Sequence, residues 1–259
     1  MINRFRIIVI CLILTFCYNF SFGQDTSTID FYSQIKVYNL SKVLMADSVW
    51  GGVGDNNMEM IKRDEMLGFI GDNYQRFYIH FISMVKDPTN PYLYVVSGKT
   101  RVKNNICSFK GTIIIKQSRL YKNTDCAKCK QGFVDCNVIL NEDKKQEASG
   151  TIKGKLRCNF WIEKKHGFGY DATNMVSDGF ANNQFTGTWT SYKANVSKKC
   201  NWGDYRIPES KALDIGVGDF SINDKYLKNG WENYKLANSD SDKPEVKRAK
   251  EKELEKWWK

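Results

Sequence analysis

The chain has 259 residues and a formal net charge of +10, with 42% hydrophobic, 14% aromatic and 26% charged residues. That length suits one large all-β domain or two small ones. Removal of the signal described below, which carries Arg4 and Arg6, would lower the charge to +8. The basic residues show neither the aromatic pattern of RNA-binding strands nor a helical basic stripe, which argues against a nucleic-acid partner.

The N-terminus predicts a secretory signal peptide over residues 1–23. A positively charged start precedes the apolar segment Ile7 to Phe16, which is too short for a bilayer span of about 20 residues. Ser21 and Gly23 provide the small residues that favour cleavage after Gly23. We therefore expect a secreted or periplasmic protein with no transmembrane segment after cleavage.

Six cysteines follow this signal, and an even number in an exported chain favours disulfides. They are Cys107, Cys126, Cys129, Cys136, Cys158 and Cys200. We expect three disulfides, with Cys158 and Cys200 as a long-range pair and the other four pairing among themselves. The alternatives are a redox Cys-x-x-Cys motif, which lacks a βαβ context, and a zinc site completed by Cys107 or His166.

The segment from Asp25 to Asp72 is less regular. Met58 to Met66 shows the three- to four-residue apolar spacing of one or two helical turns. The glycines at 51, 52 and 54 predict a flexible turn, because no Lys-Ser/Thr follows them as in a phosphate-binding loop.

Alternating aromatic and β-branched residues then predict a series of strands. These strands are Arg76 to Val85, Tyr92 to Val102, Ile106 to Tyr121, Phe133 to Leu140, Gly150 to Glu163 and Asn183 to Lys193. Short turns join them, so the expected fold class is all-β, an antiparallel meander that closes into a barrel or a sandwich. Glycines inside the strands would supply the bends for closure, at Gly98, Gly111, Gly154 and Gly187. The predicted core includes Phe77, Ile79, Val95, Ile113, Phe160, Phe185 and Trp189.

The stretch NQFTGTWTSY, Asn183 to Tyr192, resembles the Phe-x-Gly-x-aromatic strands of avidin-like and lipocalin-like barrels. SVWGG at Ser48 to Gly52 is similar in its Gly-Trp content to a first barrel strand. The resemblance implies a barrel that binds a small molecule or a partner without catalysis. The overall texture of the chain also resembles that of secreted bacterial proteins of unassigned function.

The segment Cys200 to Tyr234 is dense in aromatic and acidic residues. Its predicted ligand-binding residues are Trp202, Tyr205 and Trp231, which would form a stacking platform next to carboxylate acceptors. Packing of these rings against the barrel is the alternative interpretation. The spacing of its aspartates matches neither an EF-hand nor a β-roll repeat, so no metal site is predicted.

The sequence contains no catalytic constellation that we can name. His80 lies in an alternating strand, which indicates a core or half-buried side chain, and His166 lies in a glycine-rich turn. Asp204 with Glu209 or Glu232 would be a candidate pair for a glycosidase, but a chain with 29 acidic residues offers many such pairs.

We therefore expect a secreted, non-catalytic binding protein that uses no cofactor. Its ligand is left open between a small molecule, a glycan and a protein. The alternatives are a secreted glycan-acting hydrolase that uses Asp and Glu carboxylates, and a disulfide-stapled partner-binding or inhibitor protein.

The C-terminus predicts a short helix within Lys243 to Lys259, because Pro244 suits a first turn and Glu245 complements the helix dipole. The chain accordingly divides into a signal at 1–23, a single β-rich domain at 24–235, and a charged linker with the helix at 236–259. The favoured interpretation is a solvated, partly frayed tail unless its tryptophans dock on the barrel. Contact with a membrane surface or a partner is the alternative, because Trp257 and Trp258 are flanked by lysines.

Overall fold

A computed structural model describes residues 27–52, 58–124 and 128–259. Its strands are β1 Thr28–Asp30, β2 Ser48–Gly52, β3 Met58–Lys62, β4 Leu67–Ile70, β5 Gln75–Lys86, β6 Leu93–Val102, β7 Asn105–Tyr121, β8 Cys129–Glu142, β9 Gly150–Glu163, β10 Gly167–Tyr170, β11 Asn182–Ser191 and β12 Ser197–Asp204. The α-helices are α1 Tyr32–Ile35, α2 Ser41–Leu44, α3 Glu232–Ala237 and α4 Pro244–Glu253. The predicted signal, Gly54 and Cys126 lie outside the described residues.

Within these ranges, eight strands form a closed antiparallel ring in the order β4, β5, β6, β7, β8, β9, β11 and β12, and β12 pairs back onto β4. Ring strands that follow one another in the chain are also neighbours in the ring. The short β10 comes between β9 and β11 in the sequence but lies outside the ring, where it pairs with β9. The predicted all-β antiparallel meander is confirmed, and of the two expected forms, barrel and sandwich, the strands form the closed barrel. The six predicted strands correspond to β5, β6, β7, β8, β9 and β11.

The structure corrects two local predictions. Met58 to Met66 is not helical, because Met58–Lys62 is strand β3 and pairs with β2 in a separate two-stranded sheet. Val95 is not a core residue, since it is 50% exposed while Tyr94 and Val96 on either side are buried. The other predicted core residues are buried.

Side chains fill the interior of the barrel. A Cβ atom added to Gly98 would lie 2.6 Å from Cζ of Phe109, so the ring occupies the space above this glycine. Gly154 and Gly187 are directly paired across β9 and β11, and added Cβ atoms there would lie 2.5 and 2.4 Å from Cζ of Phe185. These glycines make room for aromatic rings inside the barrel.

The two ends of the barrel are closed differently. At one end, which we call the capped end, α1, α2 and their flanking residues pack into the core, and the Leu40 amide donates to the Tyr94 hydroxyl at 3.0 Å. The other end is formed by short hairpin turns. There the buried carboxylate of Glu142 accepts hydrogen bonds from Trp189 Nε1 and the Gly150 amide, both at 2.8 Å. The capped end is the end that positions the candidate site.

The C-terminal segment packs on the outside of β4 and β5. A second apolar cluster joins Leu67 and Phe69 of β4 to Ile207, Leu213, Phe220, Ile222 and Trp231. The predicted C-terminal helix is confirmed as α4, but the solvated-tail interpretation is wrong because Val246, Ala249 and Trp257 are buried. No helix in the described part of the chain is long and apolar enough to span a bilayer.

The predicted disulfide framework is wrong for four of its cysteines. Cys107, Cys136, Cys158 and Cys200 are free and buried, so Cys158 and Cys200 do not pair. Three of them belong to the barrel core and behave as small apolar side chains. Cys129 is disulfide-bonded.

Candidate functional site

The predicted ligand-binding residues do not form a platform. Trp202 is fully buried inside the barrel, where its ring stacks on Phe185 at a centroid distance of 3.6 Å. Trp231 is fully buried in the outer cluster. Tyr205 is half-buried, and its hydroxyl lies 3.0 Å from Met175 Sδ. The prediction fails for the two tryptophans because their large apolar area is used for packing.

An open cleft of about 390 Å³ lies beside the capped end, and we call it the rim cleft. Its walls come from residues 44–47, 63–66 and 79–82, with Trp258 and Lys259. This volume lies within the usual range of small-ligand sites. The rim cleft is therefore the best candidate for a functional site.

A bulge in β5 shapes one wall of the rim cleft. The register between β5 and β6 shifts between Phe81 and Ser83, so Ile82 is an extra residue in its strand. A bulge bends the strand and redirects side chains. As a result the cleft contacts both buried residues of β5, Ile79 and Phe81, and outward residues, His80 and Ile82.

His80 of β5 contacts residues of two other walls of the rim cleft. Its Nδ1 atom lies 3.2 Å from Oε2 of Glu65, and its ring stacks on Trp258 at 3.7 Å with an interplanar angle of 11°. The side chain of His80 is 20% exposed, which confirms the half-buried position predicted from the strand pattern. His80 thus joins β5 to both the β3–β4 connection and the C-terminal segment.

Arg63, which lines the rim cleft, forms a buried ion pair with Asp204. Oδ2 of Asp204 accepts from Arg63 NH1 at 3.2 Å and from Asn183 Nδ2 at 2.7 Å. Burial raises the pKa of Asp204, and the Arg63 guanidinium opposes that rise. Asp204 is paired with Arg63, while Glu209 lies at the surface and pairs with Lys199, so each of these two acids has its own ion-pair partner.

Two carboxylates of the rim cleft are unpaired among the described residues. Asp47 and Asp64 are exposed, and neither side chain has a hydrogen-bond or ion-pair partner among the described residues. Lys259 lines the same cleft. Uncommitted carboxylates close to aromatic rings attract cationic groups. The rim cleft therefore has an acidic face on a protein whose overall charge is basic.

A smaller cleft of about 150 Å³ adjoins the first, and we call it the second cleft. Its lining includes Trp50, Trp161, His166, Phe168 and Tyr170. Nδ1 of His166 lies 3.3 Å from Oε2 of Glu163, and its ring stacks on Trp50 at 4.5 Å. Both histidines of the chain are therefore paired with a glutamate and stacked on a tryptophan.

The structure gives no support for a metal centre. No group of three or more His, Cys, Asp or Glu side chains within the described ranges is arranged to hold a metal ion. Cys126, part of the alternative zinc site, lies outside those ranges, and Cys136 is buried in the barrel core.

No protein-family model, curated protein or solved structure matches this chain. The resemblance to avidin-like and lipocalin-like barrels therefore stays a prediction from ten residues. The site rests on geometry alone, and it combines three segments between residues 44 and 82 with the distant C-terminal residues Trp258 and Lys259. Among its residues, His80 and Trp258 carried a signal in the sequence, whereas Asp47 and Asp64 did not.

Proposed function

We propose that this protein is a secreted, non-catalytic binding protein whose ligand site is the rim cleft. The observation that carries the proposal is the pair of uncommitted carboxylates, Asp47 and Asp64, in a cleft of about 390 Å³. The barrel interior is a poorer candidate because aromatic side chains occupy it. A ligand of an avidin-like or lipocalin-like barrel would need that space.

The chemistry of the rim cleft favours a ligand with an amine or guanidinium group. Asp47 and Asp64 attract the charge, and the ring of Trp258 offers a surface for the adjacent carbon chain. Arg63 and His80 do not cancel this preference fully, because each is already paired with a carboxylate. We expect moderate affinity that weakens as salt rises, since exposed charges are screened.

Isothermal titration with agmatine, which carries a guanidinium and an amine, tests this proposal. We expect saturable binding to the wild type, at least fivefold weaker binding to Asp64→Asn or Asp47→Asn, and no binding of the anion succinate. Asp240→Asn, an exposed acid in the C-terminal linker, is the matched control and should bind like the wild type. Failure of agmatine to bind, or equal affinity in all variants, would overturn the proposal.

The proposed secretion has its own test. The mature protein, recovered from the medium or periplasm of the producing cells, should begin at Gln24 when its N-terminus is read by mass spectrometry. A protein retained in the cytoplasm with residues 1–23 intact would contradict it.

A further inference from the structure

The two clefts adjoin each other. Ala46 lines both of them, so the two clefts meet at its small side chain. Arg63 of the rim cleft also lies over the ring of Tyr170 in the second cleft, with its Cζ atom 5.8 Å from the ring centroid. A ligand longer than a simple amine can therefore reach from one cleft into the other.

The second cleft has a different chemistry from the rim cleft. Its volume of about 150 Å³ matches that of an apolar cavity that accommodates a benzene ring. Trp50, Trp161 and Phe168 supply apolar and aromatic surface, and the Glu163 contact fixes the orientation of His166 against Trp50. This geometry suits one aromatic ring.

Charge gives the two clefts opposite preferences. Among the described residues, no carboxylate lines the second cleft, and Lys42 does line it, so this cleft disfavours a cation. The rim cleft has Asp47 and Asp64. An elongated ligand would therefore bind in one direction, with its cationic group in the rim cleft and its ring in the second cleft.

We propose that the rim cleft and the second cleft form one groove for a ligand that carries both a cationic group and an aromatic ring. The cationic half of this inference rests on the proposed function, and the aromatic half rests on the second cleft. A free arylalkyl amine and a peptide segment with a basic and an aromatic residue share this chemistry.

The test compares monofunctional and bifunctional probes by isothermal titration. The probes are acetyl-lysine amide, acetyl-phenylalanine amide, 4-phenylbutylamine, and a series in which no, one or two glycines separate lysine from phenylalanine in an acetylated peptide amide. We expect the best bifunctional probe to bind at least tenfold more tightly than acetyl-lysine amide, because its second contact forms intramolecularly. Preference for phenylbutylamine would identify a small amine, and preference for a peptide would identify a peptide segment.

Two variants test which residues produce the higher affinity of the bifunctional probes. Trp50→Ala removes one aromatic wall of the second cleft, and Ala46→Phe places a bulky ring where the two clefts meet. Each should reduce the affinity ratio between the best bifunctional probe and acetyl-lysine amide to nearly one, in protein whose circular dichroism matches the wild type. Asp64→Asn should weaken both probes and leave the ratio unchanged.

The outcomes separate the two proposals. If acetyl-lysine amide binds but no bifunctional probe exceeds it by more than twofold, or if the gain survives both Trp50→Ala and Ala46→Phe, the joined groove is wrong and the rim-cleft site stands. If agmatine fails to bind, the proposed function is wrong, and this inference is wrong with it.

Discussion

The barrel interior and the rim cleft use the same kinds of residues for opposite purposes. Inside the barrel, Trp202 is fully buried against Phe185, and the carboxylate of Glu142 accepts from groups of the barrel itself. At the rim, Trp258 borders open space, and Asp64 has no partner among the described residues. Knowing that the fold is a closed barrel therefore does not locate the site, because side chains fill the interior where a barrel ligand would bind.

Trp202→Ala should have the largest effect on this comparison. We expect a loss of about 3–5 kcal/mol in the free energy of unfolding, because a fully buried ring is removed from a filled core. Urea denaturation followed by far-UV circular dichroism measures it. A loss below about 1 kcal/mol would place Trp202 in an adaptable cavity and would revive a ligand-binding role for it.

Trp257→Ala should have an intermediate effect. The ring of Trp257 packs outside the barrel, with its centroid 5.9 Å from that of Tyr78 and 5.1 Å from Cζ of Arg101. Because this site is peripheral, we expect a loss of about 2 kcal/mol, less than that of a core tryptophan. An unchanged unfolding free energy would restore the solvated tail that the sequence suggested.

Trp258→Ala, next to Trp257 in the sequence, tests both the stability of the protein and its binding of agmatine. Loss of its stack on His80 should cost about 1 kcal/mol of unfolding free energy, the scale of one ring pair. Agmatine affinity should fall several-fold in the same protein. Wild-type agmatine affinity in this variant would remove Trp258 from the proposed site.

Lys153→Glu should have the smallest effect. Lys153 is exposed on the outer face of β9. We expect a change within about 0.5 kcal/mol in the unfolding free energy and no change in agmatine binding. A large decrease in thermal midpoint would mean that the outer strand face has an unrecognised structural role.

Sequence patterns were most informative where packing repeats along the chain. The strands β5 to β9 and β11 alternate clearly between inward and outward residues, which is why their existence could be predicted. The ring-closing strands β4 and β12 were missed. β4 has only four residues, and all of them are buried, Leu67 and Phe69 in the outer cluster and Ile70 in the barrel core, so it shows no alternation.

The functional site was less predictable than the fold. Aromatic density between Cys200 and Tyr234 suggested a ligand platform, yet the rings of Trp202 and Trp231 fill two separate cores. The rim cleft depends on the contact between His80 and Trp258, which are about two thirds of the chain apart. No local pattern encodes such a contact, and the same holds for the buried pair of Arg63 and Asp204.

Thiol labelling tests the central claim, that the barrel interior is a filled core, most directly. Burial raises the pKa of the Cys107 thiol to about 11 and those of Cys158 and Cys200 well above the ordinary value, so little thiolate forms at pH 8. We predict that Ellman's reagent labels none of the four buried cysteines in the native protein and all four in denaturant. Labelling of Cys158 or Cys200 in the native protein, at the rate of an exposed thiol, would show an open interior and contradict the account.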